Sequence, residues 1–285
     1  MLSLILNADD FGLTKGVNEA VFDLASRDAL SSTTVMINMP NAVDASLLVD
    51  FSKLGIGLHF NLTEGSPVVD PLLVPTLIDD QAQFHSQREF RKRLANNRIR
   101  KEEILTELRA QFKALRTLVG DRITHIDSHQ NIHKAVPVAY ALIQFAADWP
   151  GLGLRSPARY LLIPFGDSAR IVPSLSVSLS MFKLRRGAKE CYLHCLSWFL
   201  EKSFRIPAGE LQAASLRKLD LLNMITATNF SDVSDNRIFE VACHPATSTA
   251  FIENSRLTYK RLEEYKILRD GQFASAIRKE RFTTV

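Results

Sequence analysis

The sequence predicts an α/β fold in which several parallel strands end around one site, a barrel-like arrangement. Two observations carry this. Short apolar or β-branched runs of strand length alternate with segments whose apolar residues recur at helical spacing. The polar clusters stand where such runs give way to loops, which is where α/β folds put their chemistry. An open doubly wound sheet is the rival. Against it, the first strand–helix turn has no Gly-x-Gly-x-x-Gly fingerprint, and no P-loop lysine motif occurs.

Taken in order, residues 4–8 form an apolar strand that ends abruptly in Asp9 and Asp10, with Gly12 as the turn former. Adjacent carboxylates repel, so the pair needs a cation or a shared proton. The plainer reading is a turn plus a helix cap. A helix opens at Thr14 or Lys15, and Val17, Ala20, Val21, Leu24 and Ala25 pack it on a sheet. Residues 31–39 read as a β-branched strand ended by Pro40, and 43–51 as a short helix. Residues 55–62 are another strand with polar groups at its exit, and 63–67 have loop chemistry. Residues 66–100 lack a period and read as a long loop with short elements, more often functional than idle. In 102–119, Ile104, Leu108, Phe112, Leu115 and Val119 form one stripe, closed by Gly120. Residues 122–129 alternate like a strand, and 137–147 are helical with Pro137 at the start. A short strand at 152–155 is stopped by Pro157. Residues 160–215 carry the weakest pattern. Within them 174–200 predict one or two helices, with Cys191 and Cys195 as core residues. A helix at 216–222, a strand at 240–245 and a charged amphipathic helix at 257–268 follow. No internal repeat or low-complexity linker appears, so the chain reads as a single domain, 1–285, with variable insertions at about 66–100 and 160–215.

With 285 residues, 46% hydrophobic and 23% charged, there is ample material for a core and a surface ordinary for a soluble protein. The net charge of +4 leaves 35 cationic residues nearly matched by 31 acidic ones. The main basic run, Arg88 to Arg93 with Arg98 to Lys101, holds only Phe90 for base stacking. It reads as a solvated helix face, and no nucleic-acid partner is expected. Facing an anionic ligand such as a phosphorylated or lipid-linked sugar is its alternative role. Three cysteines imply no disulfide framework, and a reducing, cytoplasmic location is expected. The N-terminus shows no charged leader with an apolar block, and no apolar run is long enough to span a bilayer.

The polar strand ends are Asp9, Asp10, His59, His125, Asp127, His129, His133, Arg155 and His244. Imidazole with carboxylate is a common ligand set for a hydrolytic divalent ion, which needs about three protein ligands and an open position. A further carboxylate can take the proton of the attacking water, and a histidine can protonate the leaving group. Side chains two apart share a strand face, so His125, Asp127 and His129 point the same way if the strand extends that far. His133 falls on a loop or helix start. His85 and His194, standing alone, read as structural or surface histidines.

Four motifs stand in order: Asn7-Ala8-Asp9-Asp10-Phe11-Gly12; Gly57-Leu58-His59-Phe60-Asn61-Leu62-Thr63-x-Gly65-x-Pro67; His125-x-Asp127-Ser128-His129; and Cys243-His244-Pro245. They resemble the motifs of the YdjC-like carbohydrate deacetylases, and the resemblance runs from residue 4 to about 270, including the Arg261-x-x-Glu264 helix. It implies a distorted (β/α) barrel, TIM-like, with long loop insertions at the C-terminal face of the strands. It also implies a divalent metal, Mg2+ or Zn2+, and removal of an N-acetyl group from an amino sugar or oligosaccharide with release of acetate. Carried over, Asp10, His59 and His129 hold the metal, Asp9 is the general base and His244 the general acid. Arg155 resembles the arginine that orients the base in the wider superfamily; its alternative is a surface salt bridge. His125, Asp127, Asn61 and His133 fall in the second shell or contact substrate. The more distant polysaccharide deacetylases use a similar Asp-Asp and His-His arrangement. Two departures stand out: Asn131 replaces a histidine of many relatives, and 160–215 match the pattern poorly. The resemblance makes a homodimer a reasonable assembly. Two other functions fit the same ligands: another metal-dependent hydrolase, for instance on phosphoesters, and a catalytically inactive sugar-binding relative. Release of phosphate instead of acetate marks the first, and a metal count tests the second.

Overall fold

The computed structural model describes all residues except 1, 166–167, 175, 177–183, 214–220, 224, 226–234, 251, 253–257 and 273–275. In chain order the strands are β1 (Leu2–Phe11), β2 (Ser32–Val35), β3 (Gly55–Phe60), β4 (Ile123–Ser128), β5 (Gly153–Leu154), β6 (Arg159–Phe165), β7 (Ser168–Pro173), β8 (Gly209–Ala213), β9 (Phe239–Cys243) and β10 (Ile277–Lys279). The helices are α1 (Lys15–Ser26), α2 (Gln87–Ala95), α3 (Lys101–Val119), α4 (Val136–Ala146), α5 (Leu184–Leu200) and α6 (Thr258–Arg269), with short 3₁₀ segments between them.

One sheet runs in the order β5-β4-β3-β2-β1-β9-β8-β6-β7, parallel throughout except for the β6–β7 hairpin. β1 is its spine. Asn7 pairs with Ser32 of β2 and Ala242 of β9, so these strands take opposite edges, and Leu2 to Leu4 pair with β10. Both ends of the chain therefore build the sheet around β1. Beyond β5, Gly153 forms a single bridge with Arg205, in the segment that leads into β8. The two arms of the sheet thus meet at one point, which is compatible with the expected barrel, although a full closing ladder is not present among the described residues.

Polar side chains run through the sheet interior. Gly57 of β3 leaves room for the His125 ring, which a Cβ there would approach to 2.6 Å. His125 is stacked on Phe282, with centroids 4.0 Å apart. α3 buries the expected stripe, Ile104, Leu108, Phe112, Leu115 and Val119. Burying each such side chain stabilises by about 1.5–3 kcal/mol. It also buries Glu103, Glu107 and Gln111 at i, i+4 spacing. Glu107 accepts from the amides of Val68 and Val69, Glu103 from the amide and hydroxyl of Thr76, and Gln111 exchanges bonds with the Asn61 backbone. The long loop after β3 is thereby fastened by one helix face. Within that loop the structure adds α2 and a 3₁₀ turn, Pro71–Leu73.

Several expected bounds change. β2 is shorter than 31–39 because Met36 turns back, its amide bonding the Phe11 carbonyl and its carbonyl taking the Met39 amide. The helix at 43–51 is the 3₁₀ segment Ala42–Asp50. Strand β4 ends at Ser128, so His129 does not share a strand face with His125 and Asp127; it opens the 3₁₀ turn His129–Lys134. Cys191 and Cys195 are exposed, not in the core, because α5 turns Leu193, Leu196 and Leu200 inward instead. Residues 216–220 of the expected helix at 216–222 lie outside the described residues, as do 175, 177–183 and 257 from the neighbouring expectations. No helix among the described residues is long and apolar enough to cross a membrane.

Candidate metal centre and active site

The site sits where β1, β3, β4, β5 and β9 end. β1 continues through both acids to Phe11, but its register with β2 slips between Ala8 and Phe11. At the slip Asp10 adopts φ 68°, the left-handed region that aspartate tolerates better than most residues. The irregularity turns neighbouring carboxylates to different partners. Gly12 then takes φ 95°, with its amide bonded to Asn18 Oδ1 at 2.7 Å, and Thr14 caps α1.

Asp10 Oδ1 lies 3.1 Å from His59 Nε2 and 3.1 Å from His129 Nδ1. A tetrahedral ion with legs of about 2.0–2.2 Å separates its ligands by about 3.3–3.6 Å. Asp10, His59 and His129 therefore form a buried donor set of the right size and chemistry for a divalent ion. His129 reaches the set because Gln130 and Asn131 both take positive φ, 53° and 57°, which folds the chain back after β4. The Gln130 carbonyl is held there by Gln87 Nε2 of α2 at 3.0 Å.

The partners of these residues fix their orientation. His59 Nδ1 donates to Asp127 Oδ1 at 2.6 Å, leaving Nε2 for the ion. Thr34 Oγ1 donates to the other oxygen of Asp127 at 3.0 Å. His129 Nε2 lies 3.0 Å from Glu64 Oε2, and the Glu64 carbonyl is clamped by the side-chain amides of Asn38 and Asn61 at 2.9 and 2.7 Å. Asp10 Oδ2 takes a 2.5 Å bond from Arg261 Nη2.

Asp9 points to a different set of groups. Arg155 grips it with two bonds, Nη1 to Oδ2 at 2.7 Å and Nη2 to Oδ1 at 2.6 Å. Asn7 Nδ2 donates to Oδ1 at 2.8 Å, and His244 Nε2 stands 3.6 Å from Oδ2. Arg155 is buried and also meets Asp127 Oδ2 and Glu240 Oε1, each at 2.7 Å, so it is no surface salt bridge. Asp9, His59 and Asp127 form a second candidate donor set, but Arg155 already bridges both of its acids.

Charge and burial compete at each group. Burial alone would raise Asp9, yet the Arg155 guanidinium holds its carboxyl far below the usual range. Asp10 is likewise held well below it, against burial, by Arg261 and the two histidines. Burial opposes a charge on His59, but Asp127 and Asp10 outweigh it and raise the pKa to about 10. His129 is raised against burial by Asp10 and Glu64. His125, by contrast, is pulled down to about 3 by burial and by Arg155, so it stays neutral, between Thr124 Oγ1 and Asn7 Oδ1. Burial also drives His133 well down; its Nδ1 meets Ser128 Oγ at 2.6 Å, and its buried Nε2 has no protein partner among the described residues. Burial pushes Glu240 up to about 7 in spite of Arg155.

Seven of the residues expected in the site, Asp9, Asp10, His59, Asp127, His129, Arg155 and His244, thus stand in one contiguous network. His125 lies beneath it, His133 beside β4, and Asn61 acts through the Glu64 loop. Sequence reasoning gave no role to Glu64, Glu240, Thr34 or Arg261. Glu240 had a legible signal, a lone charge inside the apolar strand Phe239–Cys243. Arg261 had one too, because with Glu264 and Leu268 it makes a helical stripe that turns out to be buried.

The YdjC-like protein family matches residues 3–279. A chitooligosaccharide deacetylase of Serratia marcescens is 30% identical over 280 residues, covering 98% of this chain and 95% of that protein. A carbohydrate deacetylase of Enterococcus faecalis is 28% identical over 283 residues, covering 96% and 92%. Among solved structures, a candidate cellobiose-phosphate cleavage protein of Enterococcus faecalis superposes with a TM-score of 0.72 at 24% identity, covering 99% of this chain and 98% of that one, a likeness of fold. A match over nearly the whole length, on a chain whose ordered motifs converge on one buried cluster, makes this protein a member of the YdjC-like family.

Proposed function

We propose that the chain is a divalent-metal-dependent hydrolase that removes the N-acetyl group from an amino sugar or oligosaccharide. The observation that carries this reading is the convergence of Asp10, His59 and His129 beside an Asp9 that is held ionised and a histidine, His244, within 3.6 Å of it. Relatives that match nearly the whole chain are named deacetylases of chitooligosaccharides and carbohydrates.

Asp10 Oδ1, His59 Nε2 and His129 Nδ1 would hold the ion. When bound, it would lower the pKa of a water and polarise the acetamide carbonyl. Two imidazoles suit Zn2+, while an oxygen-rich remainder of the shell suits Mg2+. Asp9 takes the proton of the attacking water, and the two bonds from Arg155 keep that carboxylate ionised and aimed. His244 protonates the departing nitrogen as the carbon–nitrogen bond breaks, so water and amide become acetate and a free amino sugar. Asp127 keeps the His59 tautomer that presents Nε2 outward.

A phosphorylated or lipid-linked sugar would meet α2 at the rim, where exposed Arg91 lies 3.4 Å from the Gln130 carbonyl, next to His129. Three free cysteines favour a reducing compartment, and we assign the cytoplasm.

The test is a panel of N-acetylated sugars, free and nucleotide- or lipid-linked, assayed for acetate after chelation and re-addition of Zn2+ or Mg2+. Acetate should appear in equal amount with free amine and only with metal. Phosphate release in its place, or acetate undiminished by chelation, would overturn the reading.

A further inference from the structure

Arg261 and Glu264 stand one turn apart on α6 and are both buried. Charges on the inward face of a helix are costly unless paired. Here each is paired with the site. Arg261 Nη2 donates to Asp10 Oδ2 at 2.5 Å, and Glu264 Oε2 accepts the backbone N–H of His244 at 2.6 Å. The Ala246 amide adds a third tie, to the Arg261 carbonyl at 3.3 Å. The helix is itself anchored to α1, because Tyr265 Oη and Arg269 Nε both donate to Asp23 Oδ2.

A carboxylate that is free to rotate can offer an ion either oxygen or both. With Oδ2 occupied by Arg261, only Oδ1 of Asp10 faces His59 and His129. An ion held there would meet one oxygen and two nitrogens of this chain. The same helix fixes the peptide nitrogen of the residue whose ring stands beside Asp9. We propose that α6 is a positioning element for the reaction: Arg261 selects the oxygen that Asp10 presents to the ion, and Glu264 sets the backbone from which His244 projects. This rests on the metal-dependent reading above and assigns neither residue to the reacting atoms.

The experiment measures Zn2+ affinity by calorimetry, and kcat and KM for acetate release, in the full-length wild type, Arg261→Met, Arg261→Lys, Glu264→Ala and Glu264→Gln. Arg261→Met should lose about 10–100-fold in Zn2+ affinity. Arg261→Lys, which keeps the charge but reaches Asp10 from a differently shaped head group, should lose less, about three- to tenfold. Glu264→Ala should keep Zn2+ affinity and KM while kcat falls about tenfold or more. Glu264→Gln, which still offers His244 an acceptor, should restore most of that loss. Wild-type Zn2+ affinity in Arg261→Lys, whether or not Arg261→Met folds, overturns the role of Arg261. Unchanged kcat in Glu264→Ala, or no rescue by Glu264→Gln, overturns that of Glu264. A wild type that binds no Zn2+ overturns both this inference and the metal-dependent reading. The expected affinity pattern without acetate from any sugar supports Arg261 and sinks only the substrate.

Discussion

Replacing Arg155 by methionine tests whether the site is held together by charge. The guanidinium makes contacts of 2.6–2.7 Å to Asp9, Asp127 and Glu240, and all four side chains are at most 4% exposed. Methionine fills much of the volume, so the loss is mainly electrostatic. Removing one partner of a buried pair costs on the order of 3–5 kcal/mol. Arg155 serves three acids, but the cost is not tripled, because orphaned acids escape by binding protons. In the wild type the pKa of Asp9 is depressed by folding, so its contribution is present above the unfolded value of about 3.9 and is lost as pH falls through the folded one. Without Arg155 the sign reverses: Asp9 and Glu240 would titrate above their unfolded values, and the penalty grows with pH. Glu240 is already at about 7 with Arg155 present, so the change falls in an accessible range. Urea unfolding should therefore give a deficit of about 3–5 kcal/mol at pH 8 that shrinks by pH 5. A deficit below about 1 kcal/mol at pH 8, or one larger at pH 5 than at pH 8, would refute the electrostatic account.

Three further outcomes follow. Asp9→Asn should bind Zn2+ as the wild type does yet lose about 10²–10⁴ in kcat, whereas His129→Ala should lose affinity as well; full turnover in Asp9→Asn removes Asp9 from the base role. Zn2+ binding at pH 7 should release at least one proton, because His59, raised to about 10, carries a proton that the ion would displace, and His129 is raised in the same direction; calorimetry in buffers of different ionisation enthalpy reads the number, and a value of zero contradicts the assignment. Gly57→Ala should destabilise by about 1–3 kcal/mol, because its Cβ would fall 2.6 Å from the buried His125 ring; an unchanged melting temperature shows that the ring can move away.

Much of the fold was legible because the strands and α3 are periodic. The stripe Ile104, Leu108, Phe112, Leu115 and Val119 announces α3 before any contact is known. The site was legible where its residues sit at strand exits, as Asp9, Asp10, His59 and His244 do. What escaped has physical causes. α2 was legible only as the solvated face of the basic run Arg88 to Arg93, because its buried face is a single residue, Phe90, too little for a period that would set its bounds. The role of Glu64 rests on a loop braced from Asn38, Asn61 and α3, contacts that no local pattern encodes. Extending the strand face to His129 failed because two left-handed residues, Gln130 and Asn131, are legible only as ordinary polar residues. Cys191 and Cys195 were misplaced because an apolar helix can bury either of two faces, and the neighbouring leucines took the sheet.

The balance of charge in the cluster explains why one metal set, and not the other, is the credible one. Among the described residues, the buried acids Asp9, Asp10, Asp127 and Glu240 face two guanidinium groups, Arg155 and Arg261. Such a deficit cannot persist in a buried site. Part of it is met by the proton that Glu240 binds near pH 7 and part by the proton on His59, raised to about 10 by Asp127 and Asp10; His129 is raised in the same direction by Asp10 and Glu64. A protonated imidazole cannot ligate, so a divalent ion would compete for the same role and would replace the protons where the acid is least satisfied. Asp9 and Asp127 share the planar fork of Arg155, which meets both and has no proton to give up near neutral pH. Asp10 has one oxygen taken by Arg261 and the other turned to two imidazoles that can release theirs. On the proposed reading an ion would therefore sit with Asp10, while Asp9, neutralised by an arginine that does not coordinate, would be left to act as a base. Adjacent aspartates in the sequence are set up for different work, because one is paired with a fixed cation and the other faces two imidazoles that can exchange protons.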